Sequence, residues 1–270
     1  MKRSMARPRT TELPENQLGL RKLQRGGKYI YAVVSGGGEG AFDFTGINER
    51  PVGTIALDGI ATVVSDLEAE RIRPERRHLA AHRAVLSKLV ELDHAVLPMR
   101  FGAIAAGPDA IIRLLSRNRE FFMRQLKRVA GKVEMGLHVF WDVPNIFEYF
   151  VRIRPELREM RDRLFQGSAA PSQEQRIELG RTFEQVVNEE RQVHAQAVEE
   201  LLAANCAEIV RSGVRRETEI MNLACLVEKR RRADFERAVL EAAQRFDNNF
   251  AFDYNGPWAP HAFAEINLKS

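Results

Sequence analysis

Two apolar runs, Pro51-Val-Gly-Thr-Ile-Ala-Leu57 and Ile60-Ala-Thr-Val-Val-Ser65, are separated only by Asp58 and Gly59. A two-residue loop between strands needs positive φ at both central positions, and Asp-Gly supplies it at low steric cost. The pattern predicts an antiparallel hairpin and commits the first part of the chain to a sheet. Lys28-Tyr-Ile-Tyr-Ala-Val-Val34 predicts an earlier strand, ended by the loop Ser35-Gly-Gly-Gly-Glu-Gly40. Pro74 is placed to open a helix whose inward stripe is Leu79, Leu86, Leu89 and Val90. Val96 and Leu97 predict a short strand ending at Pro98, and helical patterns cover 109–115 and 120–129. This order predicts an α+β domain over 28–131 with a mixed, largely antiparallel sheet.

A second domain is expected over 132–254. Val133 to Trp141 alternates as a strand, and helices are expected over 146–151 and 155–165. Gly167-Ser-Ala-Ala-Pro171 predicts a turn, followed by a long charged helix over 173–211. Its stripe is Phe183, Val187, Val193, Val198, Leu201 and Leu202, so the two helices form a hairpin. Gly213–Glu219, a strand over 220–227, a helix over 233–246 and a strand over 249–254 complete the reading. The order β-α-β-β-α-β, with its first helical element expanded into a long inserted hairpin, is a ferredoxin-like arrangement.

Residues 255–270 form an expected extended tail. Pro257 and Pro260 exclude helix and central strand, yet the segment keeps Trp258 and Phe263, so it is docked on something. At the other end, residues 1–27 hold seven basic and two acidic side chains, a net of +5. The chain total of +4 leaves −1 for the rest, so the positive excess lies on a polar leader expected to be disordered. Nucleic-acid binding requires that excess on the folded body, so clusters such as Lys229-Arg-Arg-Arg232 predict solvated faces. No apolar run is long enough to span a bilayer and no secretory leader is expected. Cys206 and Cys225 stand alone as buried small side chains of a reducing, cytoplasmic compartment.

Candidate chemistry is sparse. Gly36-Gly-Gly-Glu-Gly-Ala41 fits a permissive dinucleotide loop, but Gly46 and Pro51 stand where the following helix is needed. His78 and His82, at i and i+4, lack the intervening Glu and a third ligand of a metalloenzyme site, and predict a structural pair bordering the stripe. Neither a catalytic constellation nor a cofactor or metal site is expected. Arg100, between Met99 and Phe101, must reach water or satisfy its guanidinium on a carboxylate or on backbone carbonyls, either as a structural bridge between segments or as an anchor for a partner.

Four segments in this order resemble the gas vesicle GvpL/GvpF family: Leu97-Pro-Met-Arg-Phe-Gly102, Gly131-Lys-Val-Glu-Met135, Met221-Asn-Leu-Ala-Cys-Leu-Val227 and Gly256-Pro-Trp-Ala-Pro-His-Ala-Phe263. Lys28-Tyr-Ile-Tyr31 also fits, while His261 departs from an aromatic tyrosine expected there. The resemblance implies two α+β domains and no catalytic role. It implies an accessory protein that binds the hydrophobic shell subunit and other accessory proteins in the cytoplasm or on the vesicle. Membrane and nucleic acid are not expected partners. Pro98, Arg100, Phe101, Gly102, Trp258, Pro260 and Phe263 are its candidate motif or partner-binding residues. A small-molecule-binding regulator with a ferredoxin-like domain is the alternative.

Overall fold

The computed structural model describes residues 27–264, apart from 37, 39, 70, 93 and 167–170. The expected leader up to residue 26 and most of the expected turn at 167–171 lie outside the described residues. The described residues divide into two compact units, one built from those up to Leu89 with Val96–Leu126, the other from Val90–Ala95 and the described residues from Lys127 on.

The first unit holds strands β1 (Gly27–Ser35), β2 (Ala41–Thr45), β3 (Pro51–Leu57) and β4 (Ile60–Leu67), then helix α1 (Arg76–Glu91). Short strands β5 (Val96–Pro98) and β6 (Ile104–Ala105) and helices α2 (Pro108–Arg117) and α3 (Arg119–Val129) follow. The sheet runs β2-β3-β4-β1-β5, with β6 also on β1. Asp58 and Gly59 take φ of 45° and 85°, the mirror-image turn that the hairpin requires. From Lys28 to Val34 every residue of β1 is buried. Successive side chains point to opposite faces, so both faces of the sheet are covered there. Lys28 reaches Asp66, which pairs its ammonium inside the sheet.

Two sequence expectations change in this unit. The glycine loop does not lead straight to Pro51: β2 intervenes, bonded to β3 at Ala41↔Gly53 and Thr45↔Pro51 with an irregularity between. Five residues with one buried side chain, Phe44, carry too little alternation to announce a strand. In α1 the inward stripe holds His78 and His82 beside Val85, Leu86 and Leu89, while Leu79 is 42% exposed. Polar rings sit inside because their nitrogens find partners there.

The second unit comprises β7 (Lys132–Trp141), α4 (Ile146–Ile153), α5 (Pro155–Phe165), α6 (Gln173–Leu202), β8 (Glu208–Ser212), β9 (Glu219–Glu228), α7 (Arg232–Ala243) and β10 (Phe250–Trp258). Its sheet runs β10-β7-β9-β8 with every neighbouring pair antiparallel. Val133, Met135, Leu137, Val139 and Trp141 of β7 are buried and alternate with half-buried residues. Trp141 meets Phe150 of α4 edge-on at 5.1 Å, so the buried side is the helix side. Ser172 and Gln175 form a reciprocal capping box at the start of α6.

The long helix stops at Leu202, nine residues short of the expectation, and the second strand is 208–212 instead of 213–219. Arg211 turns back to Glu199 and Gln192, which holds β8 beside the last turns of α6. Val193, expected on the inward stripe, is 62% exposed. The final strand runs to Trp258, so part of the expected tail is edge strand, where a proline removes no needed donor.

Candidate functional site

In the first unit, Pro98 closes β5 opposite Ala32, at the end of the sheet. The chain then turns: Ala103 N–H donates to Arg100 O (3.2 Å), and Gly102 takes φ +89°, a conformation that L side chains rarely adopt. Gly102 N–H donates to the Tyr29 hydroxyl at 3.1 Å. That hydroxyl also bonds His82 Nδ1 at 2.9 Å. The Phe101 ring lies 6.1 Å from Tyr29 and 5.9 Å from His82. Burial pushes the Tyr29 hydroxyl up to about 12, against the opposing bond from Gly102. Tyr31 shifts the same way through burial, although it bonds Ser65 Oγ and accepts from Ile47 N–H at 2.8 Å.

These contacts fix the turn and leave Arg100 on its outside. Arg100 is exposed, and among the described residues it makes neither a side-chain hydrogen bond nor an ion pair. His78 bonds Arg73 O (3.0 Å) and Asn48 Oδ1 (3.1 Å), so the two histidines serve different partners.

In the second unit, Trp258, Glu134, Leu226 and Glu208 stand in one row across all four strands. The row lies on the face away from the helices, yet Leu226 is fully buried. The tail covers it. Ala262 N–H donates to Glu134 Oε2 at 2.7 Å, and the Phe263 carbonyl accepts from Arg128 Nη1 at 3.4 Å. Arg128 also forks onto Glu208, with Nε 2.7 Å from Oε1. The Phe263 ring is wholly buried between these anchors, and Pro260 is buried beside it. Trp258 is half-buried and donates to Asn255 Oδ1 at 2.7 Å.

The turn into the tail needs Gly256. Its φ is +126°, and a Cβ there would meet Met135 Sδ at 2.9 Å and Glu134 O at 3.0 Å. Burial raises the Glu134 carboxyl, opposed by the bond from Ala262. Glu208 is lowered, chiefly by its hydrogen bonds from Arg128.

Three of the four motif segments singled out in the sequence, those at 131–135, 221–227 and 256–263, therefore meet in this unit. The segment at 97–102 lies in the other. Arg128 and Glu208 went unnoticed in the sequence, because an ion pair between a helix end and a distant strand has no local signature. The basic run at 229–232 is largely spent internally. Lys229 Nζ donates to Val90 O (2.7 Å), Arg230 pairs with Glu228, and Arg231 donates to Ala204 O and Asn205. Cys206 and Cys225 are not isolated either: the buried Cys225 thiol is pushed up first by its hydrogen bond with Cys206 and then by burial. Among the described residues no group of acidic, histidine and cysteine side chains is arranged to hold a metal. No described helix is long and apolar enough to cross a membrane.

Known proteins agree with this picture. Gas vesicle protein F of a Streptomyces species is 31% identical over 216 residues, covering 80% of this chain and 89% of that protein. Gas vesicle protein L1 of Halobacterium salinarum is 25% identical, with 88% and 90% covered. The crystal structure of GvpF from Anabaena sp. PCC7120 superposes with a TM-score of 0.80 at 23% identity, covering 90% of this chain and all of that one, which shows a shared fold. The sequence profile described as gas vesicle synthesis protein GvpL/GvpF matches residues 27–265. The chain is thus a gas vesicle-related protein and belongs to the GvpL/GvpF family.

Proposed function

We propose that this chain is a non-enzymatic assembly factor that binds the hydrophobic shell subunit and other accessory proteins while gas vesicles form. It works in the cytoplasm and at the growing vesicle. The family match across residues 27–265 carries this reading. A shell subunit with a gas-facing apolar surface aggregates unless another protein covers it, and sheet edges or open sheet faces are suitable covers. The second unit supports such a role through β8, an edge strand, and through the half-buried row of Gly136, His138 and Phe140 on β7.

The ferredoxin-like arrangement of the second unit belongs to the same proposal. Numbered within the unit, its strands lie in the order fourth, first, third, second, all antiparallel, with helices after the first and third. Within the motif residues the roles divide. Pro98, Phe101 and Gly102 shape a turn that presents Arg100 to a partner, whereas Trp258, Pro260 and Phe263 close their own unit.

Co-expression with the shell subunit, followed by affinity capture of this chain, tests the proposal. Capture of the subunit, reduced in R100E at unchanged thermal midpoint, is the expected result. Absence of capture at every salt concentration overturns it.

A further inference from the structure

The loop after β7 and the elbow between α4 and α5 enclose a cleft of about 570 Å³ within the second unit. Its walls include Arg152, Arg158 and Arg161, with Glu148 as the opposing charge, and an apolar strip of Val143, Pro144 and Val151. Arg161 is partly engaged: it donates to Asp162 Oδ1 at 2.7 Å and stands 4.0 Å from Glu148 Oε2. Arg158 makes no side-chain hydrogen bond or ion pair among the described residues, and Arg152 only lies over the Tyr149 ring, 5.8 Å from its centre. Tyr149 lines the cleft, is 9% exposed, and has no hydrogen-bond partner for its hydroxyl among the described residues.

Glu148 and Asp162 serve Arg161, and Asp247 acts on Tyr149, which leaves Arg152 and Arg158 as the two exposed guanidinium groups of the cleft without an ionic partner, beside a tyrosine hydroxyl that opens into it. One occupant that brings oxygen acceptors with negative charge can engage both guanidinium groups and the hydroxyl together. We propose that this cleft is a docking site for an acidic segment of a partner protein, held by Arg152, Arg158 and the Tyr149 hydroxyl.

Guanidinium forks match carboxylates in two-point geometry. The apolar strip suits the aliphatic stems and neighbours of a peptide, which a free inorganic anion lacks. The start of α4 argues the same way, because Asn145 Oδ1 already accepts from Glu148 N–H and Glu148 occupies the first turn. A small anion seeking open helix amides finds that end already capped. The inference rests on the accessory reading only in taking the partner to be a protein.

A labelled hexapeptide alternating glutamate and valine, titrated into the full chain by fluorescence anisotropy, tests the site independently of the shell subunit. Saturable binding that weakens with rising salt is expected. R152E/R158E should raise Kd by about tenfold or more, and Y149F by about fivefold. R117E/R124E changes net charge equally in the first unit and should leave Kd unchanged. If the reversed pair alters the thermal midpoint, R152Q/R158Q replaces it. No binding, equal loss in both reversed pairs, or insensitivity to R152E/R158E overturns the proposal. So does displacement of the peptide by inorganic phosphate at an ionic strength where sodium chloride has no effect. A failed shell-subunit capture with intact peptide binding would instead count against the assembly reading alone.

Discussion

The backbone N–H of Ala262 donates to the carboxylate of Glu134 at 2.7 Å, joining the tail to the first strand of the second sheet. A carboxylate is the acceptor, yet burial raises its proton affinity, so two effects oppose each other at one atom.

Replacing Glu134 separates those effects. E134Q keeps an oxygen acceptor and loses the titration, whereas E134A loses the acceptor and should cost about 1 kcal/mol. With its folded value raised, the native carboxyl contributes stability that is whole below the ordinary value of 4.5 and lost as pH rises through the folded one. Urea unfolding across that window should therefore show a shallower decline with rising pH in E134Q than in the parent. Identical slopes would show that Glu134 does not titrate differently on folding.

Phe263 offers a larger effect. Its ring is wholly buried, so F263A should cost about 3–5 kcal/mol. Deleting residues 256–270 should lower the thermal midpoint and uncover Leu226, raising the binding of an apolar dye. An unchanged midpoint in the truncated protein would show that the tail is not a structural cover.

In the first unit, Y29F removes the acceptor for Gly102 N–H and one partner of His82, at about 1–3 kcal/mol. The folded hydroxyl holds its proton up to about 12, while the unfolded chain releases it near 10. Stability is therefore whole below the unfolded value and falls as pH rises between the two. Alkaline unfolding followed by tyrosine absorbance should be less steep in Y29F. Equal steepness would assign the alkaline transition to other groups.

Local signals were legible where one or two residues dictate the backbone. Asp58-Gly59 named its turn, and Pro155 set the start of α5. The end of α6 was hidden because neither glycine nor proline occurs between Gly180 and Gly213, with only Asn205 to mark a break. His78 and His82 looked like border residues because polarity in a sequence says nothing of the acceptors a fold will bring. The candidate residues divided for a similar reason. Phe101 and Phe263 are apolar and aromatic alike, but one packs near Tyr29 in a turn beside the exposed Arg100, and the other is wholly buried between the tail's bonds to Glu134 and Arg128.

β7 lies inside its sheet, yet its outer neighbour β10 is made after every other strand of that sheet. During synthesis that flank of β7 stays open until β10 has left the ribosome. A product that stalls or terminates before β10 thus displays an unpaired strand to proteases and chaperones, and only one that includes β10 can hide it.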